Sequence, residues 1–174
     1  MSKVSEAHVE SKSSIIEPRL DPNVIHNEVD LLAAAIHIDR YLMDAMNRLE
    51  KDFSEMDKLA MLTFKQLNSN KHILNDKLLS DKHVPGEDVT RSLEQMTLYN
   101  EQMEAKATTP ISRLQQLCAS CDSSIAFYIG IVEEATDDAV TLTAKKLASS
   151  ALERVRILKQ ALGEECGCIV SAVK

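Results

Sequence analysis

Tryptophan is absent from this 174-residue chain, and glycine, proline and aromatic residues are all scarce. Four glycines, four prolines and 3% aromatics are too few for the turns and pleated surfaces of a β fold, so an almost wholly α-helical protein is expected. An excess of basic charge is missing too. The 20 Lys and Arg face 27 Asp and Glu for a net charge of −7, which argues against nucleic acid or an anionic membrane as partner. No apolar run approaches the roughly 20 residues of a membrane helix, since LLAAAIHI and IAFYIGIV stop far short. The N-terminal MSKVSEAHVESKSS has no apolar signal core, so a cytoplasmic location is expected. There is no Gly-rich phosphate loop, no nucleophile elbow and no His-x-x-x-His pair among the five histidines.

What is present is helical periodicity in a chain long enough to bury one core. Residues 1–20 are polar and unpatterned and read as a flexible arm, 21–163 as one bundle domain, and 164–174 as a cysteine-containing tail. Helix A begins with Asp21 as cap and Pro22 in its first turn, and its stripe is Leu31, Ala35, Ile38, Leu42, Ala45 and Leu49. Helix B begins at Ser54 and Asp57, with Met56, Leu59, Leu67, Leu74 and Leu78 inward. HVPGED breaks the pattern at Pro85 and Gly86, and a shorter polar helix from Glu87 to Ala105 is expected on the outside.

Thr109 and Pro110 start helix C, which turns Ile111, Leu114, Cys118, Cys121, Ile125, Tyr128 and Val132 inward. Helix D takes Thr136 as cap and ends at Gly163, with Val140, Ala144, Leu147, Ala151, Arg154, Leu158 and Leu162 inward. A shift of 83 residues lays A–B over C–D and matches Leu31 with Leu114, Asp39 with Asp122 and Glu50 with Glu133. The fold class that follows is all-α: an up-down, long crossover, up-down four-helix bundle with an extra crossover helix.

Arg113 to Leu162, with its IAFYIGIVEEATDD and LERVRIL, resembles the rubrerythrin-like branch of the ferritin-like superfamily. Phe127–Tyr128 and the turn Thr136–Asp138 match that branch, and Arg154 stands where its Glu-x-x-His-Val signature has histidine. The resemblance implies a ferritin-like bundle with a di-iron site fed by one Glu from each of two helices and a Glu-x-x-His pair from each of the others. This chain departs from that set. Cys121, with Asp122 beside it, stands at the helix C glutamate, and Ala151 and Arg154 replace the helix D pair. Asp39 and His72 are the nearest substitutes in helices A and B, and Asp39, His72 and Asp122 all fall beside the assigned stripes rather than on them. Asp39, His72, Cys121 and Asp122 are therefore the metal candidates, for iron or zinc if any cofactor is bound, and none is expected.

Cys118 and Cys121, with Cys166 and Cys168, are the redox candidates and could form a four-thiolate site. The tail would have to run back on the order of 15 Å to reach Cys118. Against this stands the plainer reading of Cys118 and Cys121 as small packing residues in the seam. A buried Arg154 would repel a bound cation and needs a carboxylate such as Asp122 or Asp39. These residues lead to the expectation of a ferritin-like bundle without its di-iron centre. It would be a cytoplasmic, structural or protein-interaction module and a homodimer through helix faces. A metal or redox protein of the same group is the alternative.

Overall fold

The described residues form five α-helices: α1 (Glu28–Asp52), α2 (Lys58–Leu79), α3 (Glu87–Lys106), α4 (Pro110–Glu134) and α5 (Asp138–Leu162). In this computed structural model the described residues are 20–52, 58–79 and 84–162, and they include no strand. No helix among them is long and apolar enough to cross a membrane. The expectations made for residues 1–19, Ser54, Met56, Asp57, Gly163, Cys166 and Cys168 fall outside the described residues, as do those for the side chains of Leu59 and Leu162.

Short polar side chains set the helix starts, not always the ones the sequence suggests. Asp21 accepts the Asn23 N–H at 2.9 Å and caps a 3-10 turn, Pro22–Val24, instead of the long helix. The helix proper begins six residues later, where Asn27 Oδ1 accepts the Asp30 N–H at 2.9 Å. Thr109 caps α4 in a reciprocal pair with Ser112, and Pro110 occupies the first turn. At α5 the cap is Asp137 rather than Thr136, its Oδ1 accepting from Ala139 N–H and Val140 N–H at 2.7 and 3.1 Å.

Contacts between side chains fix the helix directions. Arg40 meets His72 and Asp76 while Glu50 pairs with Lys65, so α1 and α2 run antiparallel. Tyr41 with Gln116 and Asp52 with Arg113 make α1 and α4 antiparallel as well. Glu28 with Thr143 and Asp39 with Arg154 align α1 and α5 in parallel. Helix α3 lies against α1 and α4, tied to α1 by Thr97 with His37 at 2.9 Å and by Arg48 with Glu104. The shared core comes from α1, α2, α4 and α5, and includes Leu31, Leu42, Phe64, Leu114, Tyr128 and Leu158.

Two expected stripes need correction. Ile111, in the first turn of α4, is exposed rather than inward, and the buried face of the helix begins at Leu114. The larger change is in α2. Leu74 and Leu78 are 61% and 57% exposed, while Met61, Phe64, Asn68 and Asn75 are buried. Helix α2 is rolled so that its polar side faces the charged groups at the bundle centre, since leucines there would desolvate those groups and offer nothing in return.

The carboxylate of Asp30, 1% exposed, ties the start of α1 to the start of α3. It accepts the His26 N–H at 3.0 Å and the Gly86 N–H at 2.7 Å. Asp30→Ala removes the acceptor of both N–H groups and the tie between the two helix starts, and is expected to cost about 1–2 kcal/mol in urea unfolding. A loss below about 0.5 kcal/mol would show that water replaces the carboxylate without penalty.

Candidate functional site

A buried ion pair occupies the middle of the bundle. Arg154 of α5 donates from Nη1 to Asp39 Oδ1 of α1 at 2.9 Å, and each side chain is 1% exposed. Helical phase puts both there, because Asp39 follows Ile38 and precedes Leu42 on α1, and Arg154 lies between Ala151 and Leu158 on α5. Arg154, Lys71 and His72 act electrostatically on Asp39, and both members of the pair act on the buried Tyr128 of α4. Asn68 and Asn75 of α2 and Ser150 of α5 are buried too, while Lys71 and His72 are half-buried. Burial pushes the Asp39 carboxyl above its usual range, against the opposing pull of Arg154, Lys71 and His72. Burial, helped by Asp39, drives the Tyr128 phenol far upward, so it stays an O–H. Burial and the Arg154 guanidinium lower Lys71, with Asp39 acting in the other direction.

The cluster is short of hydrogen-bond partners. Asp39 Oδ2, both amide atoms of Asn68, His72 Nδ1, Asn75 Nδ2, Tyr128 Oη, Ser150 Oγ, Arg154 Nε and Arg154 Nη2 are buried and unbonded. Folded proteins leave few such groups. Nine such atoms among the described residues, three of them on the ion pair itself, make the inward polar groups of these helices the least satisfied part of the core.

The candidate residues of the sequence divide between this centre and other places. Asp39 and Cys121 point into the core, each 1% exposed, although Asp39 had been placed beside the stripe. The correction is one of width: α1 buries Leu32, Ala34, Ile36 and Met46 besides its narrow stripe, and Asp39 falls within that broader face. His72 sits at the edge, its Nε2 accepting from Arg40 Nε at 3.2 Å with Asp76 Oδ2 at 3.4 Å. Asp122 is half-buried elsewhere on α4, its carboxyl raised by burial and lowered by Lys159. The carboxylate that meets Arg154 is thus Asp39 and not Asp122. Cys118 is disulfide-bonded, and Cys121 is buried one turn further along α4.

The donor set does not suit a metal ion. Among the described residues no three His, Cys, Asp or Glu side chains come together as ligands. The one central carboxylate already faces a guanidinium, whose charge opposes any cation at the same place. No di-iron or zinc chemistry is therefore derived for this centre.

A second feature is a groove of about 1270 Å³ between α1, α3 and α4. Tyr41, Met96, Tyr99, Met103 and Phe127 form its apolar wall, and Ala119, Ser120 and Ser123 its floor. Tyr41 Oη accepts from Gln116 Nε2 at 3.1 Å, and burial raises its phenol pKa. Nothing in the sequence marks this groove, since the short side chains of α4 resemble an ordinary solvated face. Asn68, Lys71 and Asn75 are likewise absent from the candidates above. Their spacing with His72, at i, i+3, i+4 and i+7, was the available signal for a polar inner face on α2.

No known protein family, curated protein or solved structure matches the chain.

The raised Asp39 carboxyl gives a signed pH dependence. Between its usual value of 3.8 and its folded value, the native state holds the proton that the unfolded chain has released. Stability therefore falls as pH rises through that window and is flat above it. Urea midpoints of the wild type, relative to Asp39→Asn, should drop across this range. A difference that rises with pH would mean that Arg154 outweighs burial at Asp39.

Proposed function

We propose that this protein is a ferritin-like bundle of the rubrerythrin-like group, in which a buried ion pair stands where a di-iron centre would be held. It serves as a structural or protein-interaction module and not as a redox catalyst. The observation that carries this reading is Arg154, buried on Asp39 at the position where the resembled signature has histidine. Two hairpins joined by an outer helix support a long-crossover bundle, with one change from the expected order: α4 runs antiparallel and α5 parallel to α1, so the second hairpin runs down-up rather than up-down. Leu62, Ile73, Leu74 and Leu78, all at least half exposed on α2, supply the apolar face for a homodimer. Sedimentation of the purified protein as a monomer would remove that part of the reading. A cytoplasmic setting belongs to the same proposal.

One observation favours the alternative redox reading: Cys118 is disulfide-bonded. Metal analysis and thiol titration of the purified protein separate the two. The module reading expects no stoichiometric iron, manganese or zinc and no change in helicity on reduction. Stoichiometric metal that is lost in Cys121→Ser or Asp122→Ala would replace it with the metal reading.

A further inference from the structure

Arg154 uses only part of its guanidinium. Nη1 is spent on Asp39, while Nε and Nη2, both buried, donate to nothing. These two N–H groups form the planar fork that grips two oxygens of one oxyanion side by side. The rest of the unbonded cluster leans the same way. Tyr128 Oη, Ser150 Oγ, Asn68 Nδ2 and Asn75 Nδ2 all have protons to give, and only Asp39 Oδ2 and Asn68 Oδ1 are pure acceptors. Donors outnumber acceptors, so one acceptor-rich guest would satisfy several of them together.

Charge points in the same direction. Asp39 is the one acid among the buried polar residues of this layer, against Arg154 and the half-buried Lys71, and both cations act on it electrostatically. One positive charge is left over. Ser150 is buried one turn before Arg154 on the same face of α5. Lys71 and His72, half-buried, form the edge of the cluster toward solvent on α2. Asn68 and Asn75 hold α2 to the core with no hydrogen bond from these unbonded amide atoms, so a guest entering beneath α2 breaks none of them.

We propose that the bundle centre is a binding site for a small planar oxyanion of the carboxylate, bicarbonate or nitrate type, gripped by the Nε–Nη2 edge of Arg154 and by Tyr128 and Ser150. This site does not depend on the family reading, because it rests on the unspent donors alone.

The test is thermal unfolding followed by circular dichroism, with formate, bicarbonate and nitrate as probes and chloride and sulfate as controls at constant ionic strength. Planar oxyanions should raise Tm in a saturable way, and the controls should not. Arg154→Lys keeps a cation for Asp39 but removes the fork, and should weaken the apparent affinity about tenfold or more. Ser150→Ala and Tyr128→Phe leave the ion pair intact and should each weaken it severalfold, which keeps the test decisive if Arg154→Lys does not fold. Equal Tm shifts in every salt would overturn the proposal. So would full retention of the saturable shift in Ser150→Ala and Tyr128→Phe, or a crystal grown in formate with only water on Nε and Nη2.

Discussion

Desolvation of Asp39 and Arg154 is the constraint around which the rest of the molecule is arranged. Each charge loses its water on folding, and burial raises the Asp39 carboxyl despite the guanidinium beside it. The pair is thus a weak source of stability compared with apolar residues of similar size. Removing either partner is a different matter, because the survivor is left charged and dry. A pair of this kind selects one arrangement more than it strengthens it. Here it joins α1 of the first hairpin to α5 of the second, across the bundle, and only one relative register brings Nη1 to Oδ1.

The orientation of α2 follows. A helix carrying both a leucine row and a polar row can face the core with either. The charges at the centre favour the polar row, so Asn68 and Asn75 go inward while Leu74 and Leu78 meet solvent. Phe64 and Met61 keep the first half of α2 anchored in the apolar core. This trade leaves two marks: unsatisfied donors inside and an apolar face outside. Helix α3 does not share the strain. It lies against α1 and α4 through Thr97 and Glu104 and leaves the groove beneath it.

Much of the helical architecture was legible in residue types and spacing. Pro110 after Thr109 marks a helix start because the missing N–H costs nothing there, and α4 begins at that point. Pro85–Gly86 marks the break before α3 for the complementary reason. The stripes of α1, α4 and α5 could be read because each has one dominant apolar face. The face of α2 could not, because its inward side is decided by charges on α1 and α5, far away in sequence. Asp30 was missed on the same ground: an acid in the first turn looks like an ordinary dipole partner until Gly86 arrives to use it. Arg154 was legible as a buried charge, but the choice between Asp39 and Asp122 was not, since it turns on helix rotation of a few tens of degrees.

The most direct test of this account is a double-mutant cycle on the central pair. Arg154→Met alone should cost about 3–5 kcal/mol in urea unfolding, because it strands the Asp39 carboxylate. Asp39→Leu combined with Arg154→Met should recover most of that loss and give a coupling energy above about 2 kcal/mol. Additive effects, or an Arg154→Met cost below about 1 kcal/mol, would show that the two charges do not organise the bundle.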